Sequence, residues 1–313
     1  MPVSPRAMPW SFARAMRWLA LALAVASLVA IGYLDLARIA FYWITSADTQ
    51  RAPAGPELDL HAYRVAIEAR PIRGLSANAS GLTYSQKTGS LFAVINRPPA
   101  LAELSLDGQL LRLVPLPTIK DPEGIAHVED DMFVIADESD NRLHWVSIRP
   151  GEGTVTPVDT TRLPLDFSHL HNFGFEGVSW DESRAELLVV NEKWPRRVLM
   201  VNGLAQRGGT QMPTLQVHDW SPSAWLGTLG SDLASITAHS RTGNLLVLSE
   251  ESAAVTEYSR QGTLLGVLPL WPGIGGLKQK VPQPEGISIG PDDSIYIISE
   301  PNLFYRFTRT GRQ

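Results

Sequence analysis

The 313-residue sequence contains no cysteine. This excludes disulfides, thiolate nucleophiles, zinc–thiolate sites and iron–sulfur clusters. Basic residues are also few, with 27 Lys and Arg against 32 Asp and Glu. The first 44 residues carry a net charge of +3 and the remainder −8, so the body of the protein is unsuited to binding a phosphate backbone, and we expect no nucleic-acid partner. A hydrophobic content of 44% excludes a disordered chain.

Near the N-terminus, the hydrophobic run between Trp18 and Leu34 contains no charged residue. Seventeen residues at about 1.5 Å each are the short end of a membrane span, and three arginines precede the run with no acid among them: Arg6, Arg14 and Arg17. This asymmetry predicts a transmembrane helix with a cytoplasmic N-terminus. A cleaved secretory signal is the alternative, and either would export the rest of the chain.

These features predict three regions: residues 1–44 as a cytoplasmic stub and membrane anchor, 45–58 as a linker, and 59–313 as the folded domain. We expect a single-pass protein of the bacterial inner (plasma) membrane, anchored in the membrane by its N-terminal helix. The folded domain would lie in the periplasm or outside.

Five similar segments come after the linker, each with a small residue, an apolar strand, a hairpin turn and a second apolar strand. They are Ser80–Asn96, Glu123–Asp137, Glu176–Glu192, Ala234–Glu250 and Glu285–Glu300. The second residues of these segments are 43, 53, 58 and 51 residues apart. Units of this length, with strands rich in Val, Ile, Leu and Phe, indicate an all-β, five-bladed β-propeller. A six-bladed ring, with a degenerate blade in residues 203–230, is the alternative.

The last repeat ends soon after its third strand, whereas earlier repeats continue into a fourth. Residues His61–Ala69 alternate between apolar and polar side chains as a strand does. We therefore predict that this segment pairs with Leu303–Phe307 and completes the last blade, which leaves no open sheet edge.

Polar residues flank the two apolar strands of each repeat, and the topology predicts that they meet around one mouth of the central channel. The expected metal-site residues are Glu123, Glu176 and Glu285 before the first strands, and Asn96, Asp137, Glu192, Glu250 and Glu300 after the second. Clustered carboxylates repel one another unless a cation offsets them. Oxygen ligands in loose geometry favour Ca²⁺ over Mg²⁺. Alternatively, each glutamate only caps amides of its own blade.

Connections between blades should rim the same mouth and could contact a small anionic ligand. The candidates are His169, His171, Trp271 and Lys278. The histidines could instead be solvated, and the tryptophan could pack over the end of a sheet.

Several stretches resemble the SdiA-regulated, YjiK-like family, which includes the calcium-regulated β-propeller protein CarP. They are LFAVINRPPALAEL, DPEGIAHVEDDMFVIADE, GFEGVSW, LLVLSEES and PQPEGISI followed by IYIISEPNLFYRFT. The resemblance covers about residues 60–313. It implies a five-bladed propeller behind a membrane segment, a link to calcium, and no firmly assigned reaction.

Three functions remain open from the sequence. The first is an exported, calcium-binding propeller that acts in calcium-linked signalling or homeostasis. The second is a metal-dependent hydrolase, a phytase-like phosphatase or a lactonase, in which the ion polarises the substrate. The third is a scaffold that binds a protein partner. The sequence does not decide whether the protein is an enzyme.

Overall fold

The structure, a computed structural model, describes residues 10–33, 42, 57–76, 78–162, 174–191, 197–204, 215–222 and 232–310. The chain divides into two compact units, Met1–Ile44 and Thr45–Gln313. The first contains helix α1, Trp10–Tyr33. Across the described ranges, no helix combines the length and apolar character needed to cross a membrane. The predicted transmembrane helix is therefore not supported.

The second unit is a β-propeller of five four-stranded antiparallel sheets. Strand β1 (Tyr63–Pro71) precedes the first complete blade. Blade 1 contains β2 (Ala79–Ser85), β3 (Ser90–Asn96), β4 (Pro99–Leu104) and β5 (Leu110–Pro115). Blade 2 contains β6 (Pro122–Glu129), β7 (Met132–Asp137), β8 (Arg142–Ser147) and β9 (Thr156–Arg162).

Blades 3 to 5 repeat this order. Blade 3 contains β10 (Phe175–Asp181), β11 (Glu186–Asn191), β12 (Arg197–Asn202) and β13 (Gln216–Trp220). Blade 4 contains β14 (Ser235–Ala238), β15 (Leu245–Ser249), β16 (Ala254–Tyr258) and β17 (Leu264–Pro269). Blade 5 contains β18 (Pro284–Ile289), β19 (Ile295–Ser299) and β20 (Leu303–Arg309), with β1 as its outer strand.

The ring closes as the sequence predicts. Strand β1 pairs antiparallel with β20, with Tyr63 opposite Arg309 and Pro71 opposite Leu303. The inner strands β2, β6, β10, β14 and β18 contact one another in turn, and β18 contacts β2. The ring therefore has five blades, and β13, within the segment considered for a sixth, is the outer strand of blade 3.

The core lies between neighbouring blades. Between blades 1 and 2, for example, Phe92 and Val94 of β3 pack with Phe133 and Ile135 of β7. The middle strands are buried on both faces, which explains why they read as continuous apolar runs rather than alternating ones. Burial at about 25 cal/mol per Å² of apolar surface makes these interfaces the main stabilising contribution.

The inner strands approach closely at one level around the axis, and glycine permits this. A Cβ on Gly124 would lie 2.8 Å from the backbone of both Glu176 and Val178 in blade 3. A Cβ on Gly81, whose φ is +50°, would lie 2.8 Å from the Glu123 carbonyl oxygen. Because the backbones touch here, the residue before each glycine stands at the mouth of the channel.

Candidate metal site

Three of the predicted acids occupy β-bulges at the start of an inner strand. The pairing of β6 with β7 skips Glu123, and the corresponding pairings skip Glu176 in β10 and Glu285 in β18. A bulge leaves its residue outside the hydrogen-bond ladder and redirects the side chain. All three side chains are half-buried.

The residues that come after the second strands form a consistent set, but its member in blade 2 is Glu138. In blades 1, 2 and 5, one backbone hydrogen bond follows directly after the last residue of the second strand that pairs with the first strand. The next residue donates its N–H to the carbonyl of the residue three before the inner-strand glycine, which is Gly81, Gly124 or Gly286. These bonds join Asn96 to Asn78 at 3.2 Å, Glu138 to Asp121 at 2.9 Å, and Glu300 to Gln283 at 3.0 Å. The sequence-based alignment, which used Asp137, is therefore displaced by one residue in blade 2.

Asp137 uses its carboxylate to hold the backbone instead. Its oxygens accept hydrogen bonds from the amides of Lys120 at 3.0 Å, Asp121 at 3.3 Å and Ser139 at 3.1 Å, and from the Ser139 hydroxyl at 2.6 Å. Burial acts to raise the pKa of Asp137, but these donors outweigh it and hold the pKa below its usual value. The side chain therefore fixes the loop that carries Asp121.

The carboxylates that do meet are Asp121, Glu123 and Glu138. One oxygen from each lies within 4.8 Å of the others, and all three residues are half-buried. Within the described ranges, this is the one group of three acidic or histidine side chains close enough to share an ion. We call these three residues the acidic cluster.

Asn96 of blade 1 borders the acidic cluster. Its Nδ2 donates to Glu123 Oε1 at 2.7 Å, which fixes the amide beside the carboxylates. Asn96 Oδ1 and Asp121 Oδ1 are both buried and accept no hydrogen bond. A buried acceptor without a partner carries a desolvation cost of about 1–3 kcal/mol, which a bound cation would remove.

The electrostatics of Glu123 agree with a site whose negative charge is poorly balanced. The pKa of Glu123 is raised to about 7, chiefly by burial, with hydrogen bonds from Asn96 and Ser80 lowering it and the negative charges of Asp121 and Glu138 adding to the rise. Arg97 lies 3.8 Å from Asp121 Oδ2, but its side chain is 74% exposed, so water screens its charge. A cation at this position would favour the ionised carboxylate.

The donor set selects the kind of cation. It consists of oxygen atoms alone, which suits hard cations and not the nitrogen and sulfur preference of zinc. Two ligands on opposite sides of a Ca²⁺ ion lie about 4.8 Å apart, because each Ca–O bond is about 2.4 Å. The acidic cluster fits within that span, so Asp121, Glu123 and Glu138 can hold one ion, with Asn96 as a further oxygen donor.

Gly174 leaves the space that the Glu138 side chain fills. A Cβ on Gly174 would lie 1.7 Å from Glu138 Cγ and 2.4 Å from its Oε1. The segment leading into blade 3 therefore packs directly on a side chain of blade 2.

Sequence reasoning missed Asp121, Glu138 and Gly174. Asp121 stands two residues before Glu123, where blade 4 also has an acid, Asp232. A comparison of that position across the repeats was the available signal for Asp121. For Gly174, which only makes room, no sequence signal exists.

None of the other predicted residues that the structure describes belongs to the acidic cluster. Among the described residues, Glu176, Glu250, Glu285 and Glu300 do not join the group of carboxylates. Trp271 donates its indole N–H to the Ser252 carbonyl at 2.9 Å and packs against the core between blades 4 and 5. Lys278 is exposed, and its backbone amide binds Glu68. Glu192, His169 and His171 lie outside the described residues.

Comparison with known proteins gives both a family and a fold. A family model described as SdiA-regulated matches residues 57–308, so the chain belongs to the SdiA-regulated family. A luciferin-regenerating enzyme is 13% identical over 79% of this chain and 96% of its own, with a TM-score of 0.52. At this identity the likeness shows the fold alone.

Two further solved structures are more distant. Regucalcin, a calcium-binding protein from Agrobacterium tumefaciens strain C58, is 14% identical over 78% of this chain and 93% of its own, with a TM-score of 0.47. A virginiamycin B lyase from Staphylococcus aureus is 14% identical over 80% of this chain and 75% of its own, with a TM-score of 0.40.

Proposed function

Starting from membership of the SdiA-regulated family, we propose that the chain is a calcium-binding β-propeller that acts as a binding module in calcium-linked signalling or homeostasis. The observation that carries the proposal is the acidic cluster bordered by Asn96, with the buried Oδ1 atoms of Asn96 and Asp121 left without a donor.

The arrangement favours cation binding over a purely structural role for these acids. Asp137 shows what a structural carboxylate looks like in this fold, because backbone amides bind both of its oxygens. In the acidic cluster, carboxylates face one another, which disfavours the folded state unless a counter-charge is present. A divalent cation would supply that charge.

The compartment is a separate part of the proposal. We propose that the propeller lies outside the cytoplasm of a bacterial cell, held there by an N-terminal membrane anchor or released after cleavage of a signal. The support is the charge asymmetry around the uncharged run, with Arg6, Arg14 and Arg17 on one side. Alkaline phosphatase fused after Gln50 should be active in cells, and an inactive fusion would refute this topology.

The calcium proposal is tested by urea unfolding of the full-length protein with EDTA and with calcium. At 100 times the dissociation constant, calcium should raise the free energy of unfolding by about 2.7 kcal/mol. Glu138→Gln should reduce this gain, because a neutral amide attracts the ion less strongly than a carboxylate. The matched control is Glu300→Gln, at the equivalent position of blade 5, which should keep the full gain.

Each outcome selects one function. No effect of calcium on the wild-type protein would remove the cation site and leave the partner-binding scaffold. If Glu138→Gln and Glu300→Gln reduced the calcium-dependent gain in unfolding free energy equally, the ion would be bound by carboxylates all around the ring and not by the acidic cluster. Calcium-dependent hydrolysis of phytate or of a lactone, lost in Glu138→Gln, would replace the binding module with the hydrolase.

A further inference from the structure

A cavity lies at the end of the axis opposite the acidic cluster. It has a volume of about 410 Å³ and is lined by the C-terminal ends of the inner strands β2, β6, β10, β14 and β18, together with the turns after them. This volume falls within the range of about 300–1,000 Å³ that small-molecule sites occupy.

Aromatic rings line one side of this cavity. Tyr84, His127 and Trp180 occupy the same position in the inner strands of blades 1, 2 and 3, and all three are half-buried. Blades 4 and 5 place Ala238 and Ile289 there, which leaves space opposite the rings. Aromatic faces attract cations through the negative potential of the ring.

The histidine ring is compatible with such a ligand. Burial lowers the pKa of His127, so the imidazole is neutral at pH 7 and does not repel a cation. Its position is fixed, because Nε2 lies 3.0 Å from the Asp130 carbonyl oxygen and the ring packs edge-on against Phe133 with 4.9 Å between centroids.

Hydroxyl groups at the base of the cavity tie the blades together. Thr83 Oγ1 of blade 1 accepts the His127 amide of blade 2 at 3.1 Å. Ser179 Oγ of blade 3 accepts the Ala238 amide of blade 4 at 3.2 Å. These bonds hold the walls in place without a ligand, as is usual for a preformed site.

The charges around the rim are unbalanced towards negative. Lys87 is already engaged, since its Nζ lies 3.0 Å from Asp131 and 3.8 Å from Asp130. Two further carboxylates line the rim, Glu129 and Glu182, so acidic groups outnumber the one lysine. Glu182 Oε2 accepts a hydrogen bond from the neutral side-chain amide of Gln86, at 2.9 Å.

The neighbouring cavity does not reverse this balance. It shares Tyr84, Gln86, Ser240 and Ile289 with the cavity described above, and its additional basic residues are His239 and Arg241. Both contact the carboxylate of Asp293, Arg241 as an ion pair and His239 through Nε2.

We propose that this cavity binds a small organic cation, an amine or a quaternary ammonium compound. Its charged group would lie between Glu182 and the rings of Tyr84 and Trp180. Aromatic walls distinguish the cavity from the acidic cluster, which offers only oxygen ligands and suits a metal ion. The two sites are at opposite ends of the axis, so either can bind its ligand without the other.

The test is calorimetric titration of the full-length protein, in EDTA, with choline and with 3,3-dimethylbutan-1-ol, its uncharged analogue of the same shape. Choline should bind at least about tenfold more tightly, because only the cation is attracted by the rings and by Glu182. Glu182→Gln keeps the size of the side chain and should weaken choline binding about threefold to tenfold. The control, Glu152→Gln, changes another carboxylate, with a side chain that is 42% exposed and does not line the cavity, and should have no effect.

Three results would overturn the proposal. They are the absence of choline binding at millimolar concentration, equal binding of choline and the neutral analogue, and unchanged choline affinity in Glu182→Gln. A Trp180→Leu variant that folds should also bind choline less tightly than the wild type, and unchanged affinity there would contradict the aromatic part of the site. Since Trp180 also packs against the core of blades 2 and 3, Glu182→Gln is the primary variant.

Discussion

Glu123, which is half-buried, and Glu257, which is fully buried, are both carboxylic acids whose pKa is raised to about 7, chiefly by loss of contact with water. Each accepts a hydrogen bond from an asparagine side chain at 2.7 Å, from Asn96 and Asn244 respectively. Their remaining neighbours differ. Glu257 also accepts the Leu58 amide, at 3.1 and 3.2 Å, whereas Glu123 faces two other carboxylates. A raised pKa therefore does not identify a functional acid, and the partners do.

Glu257 has a structural position in the closure of the ring. It lies on β16 of blade 4 and binds the segment that leads into β1, the outer strand of blade 5. Leu58 and Leu60 of that segment belong to the apolar core between blades 4 and 5. The Glu257 carboxylate therefore fastens to blade 4 the segment that leads into β1, although β1 itself belongs to blade 5.

The largest expected effect on stability comes from replacing the two acids, Glu257 and Glu123, one at a time. Glu257→Leu leaves the buried Leu58 amide and the Asn244 side chain without their acceptor and should lower the free energy of unfolding by about 3 kcal/mol. In EDTA, Glu123→Leu should lower it by less than about 1 kcal/mol, since relief of repulsion from Asp121 and Glu138 offsets the lost bonds to Asn96 and Ser80. Urea unfolding at pH 7 measures both. Equal losses would remove the distinction between the two acids.

The pH dependence of stability isolates Glu257. Its pKa is higher in the folded state than the ordinary value of 4.5, so its contribution to stability is fully present below about pH 4.5 and is lost as the pH rises through about 7. For a shift of this size the contribution is at most about 3 kcal/mol. The difference in unfolding free energy between the wild type and Glu257→Gln, measured in EDTA from pH 5 to 8, should decrease with rising pH. A difference that stays constant would contradict this assignment.

The sequence was sufficient for the fold because propeller blades repeat. Local patterns predict most of the fold. Apolar runs such as LFAVI and IYIIS recur from blade to blade together with the hairpin turns, and the alternating segment that completes blade 5 is also visible locally. The metal-site residues were harder to predict, because their positions depend on register. A bulge at Glu123 shifts the pairing of β6 with β7, and a shift of one residue exchanges Asp137 for Glu138.

The packing of Glu138 offers a smaller test that leaves every carboxylate in place. Gly174→Ala should displace the Glu138 side chain, since the added Cβ would lie 1.7 Å from Glu138 Cγ. We expect the dissociation constant for calcium to rise about tenfold, which corresponds to about 1.4 kcal/mol. Gly153→Ala is the matched control, because a Cβ there meets no atom within 4 Å. If calcium affinity were the same in both variants, Glu138 would not be a ligand.

The smallest effect on calcium is expected at Asp137, the neighbour of Glu138. Asp137→Asn replaces one acceptor oxygen with an NH2 group, which cannot accept the hydrogen bonds of nearby backbone amides such as that of Lys120. Stability in EDTA should fall by about 1 kcal/mol, while the gain on adding calcium should stay within error of the wild-type value. Unfolding curves with and without calcium give both numbers. A calcium gain reduced as strongly as in Glu138→Gln would place Asp137 among the ligands and restore the alignment based on the sequence. A variant that loses stability but keeps its calcium response would assign adjacent residues of one loop to separate tasks, Asp137 to the backbone and Glu138 to the ion.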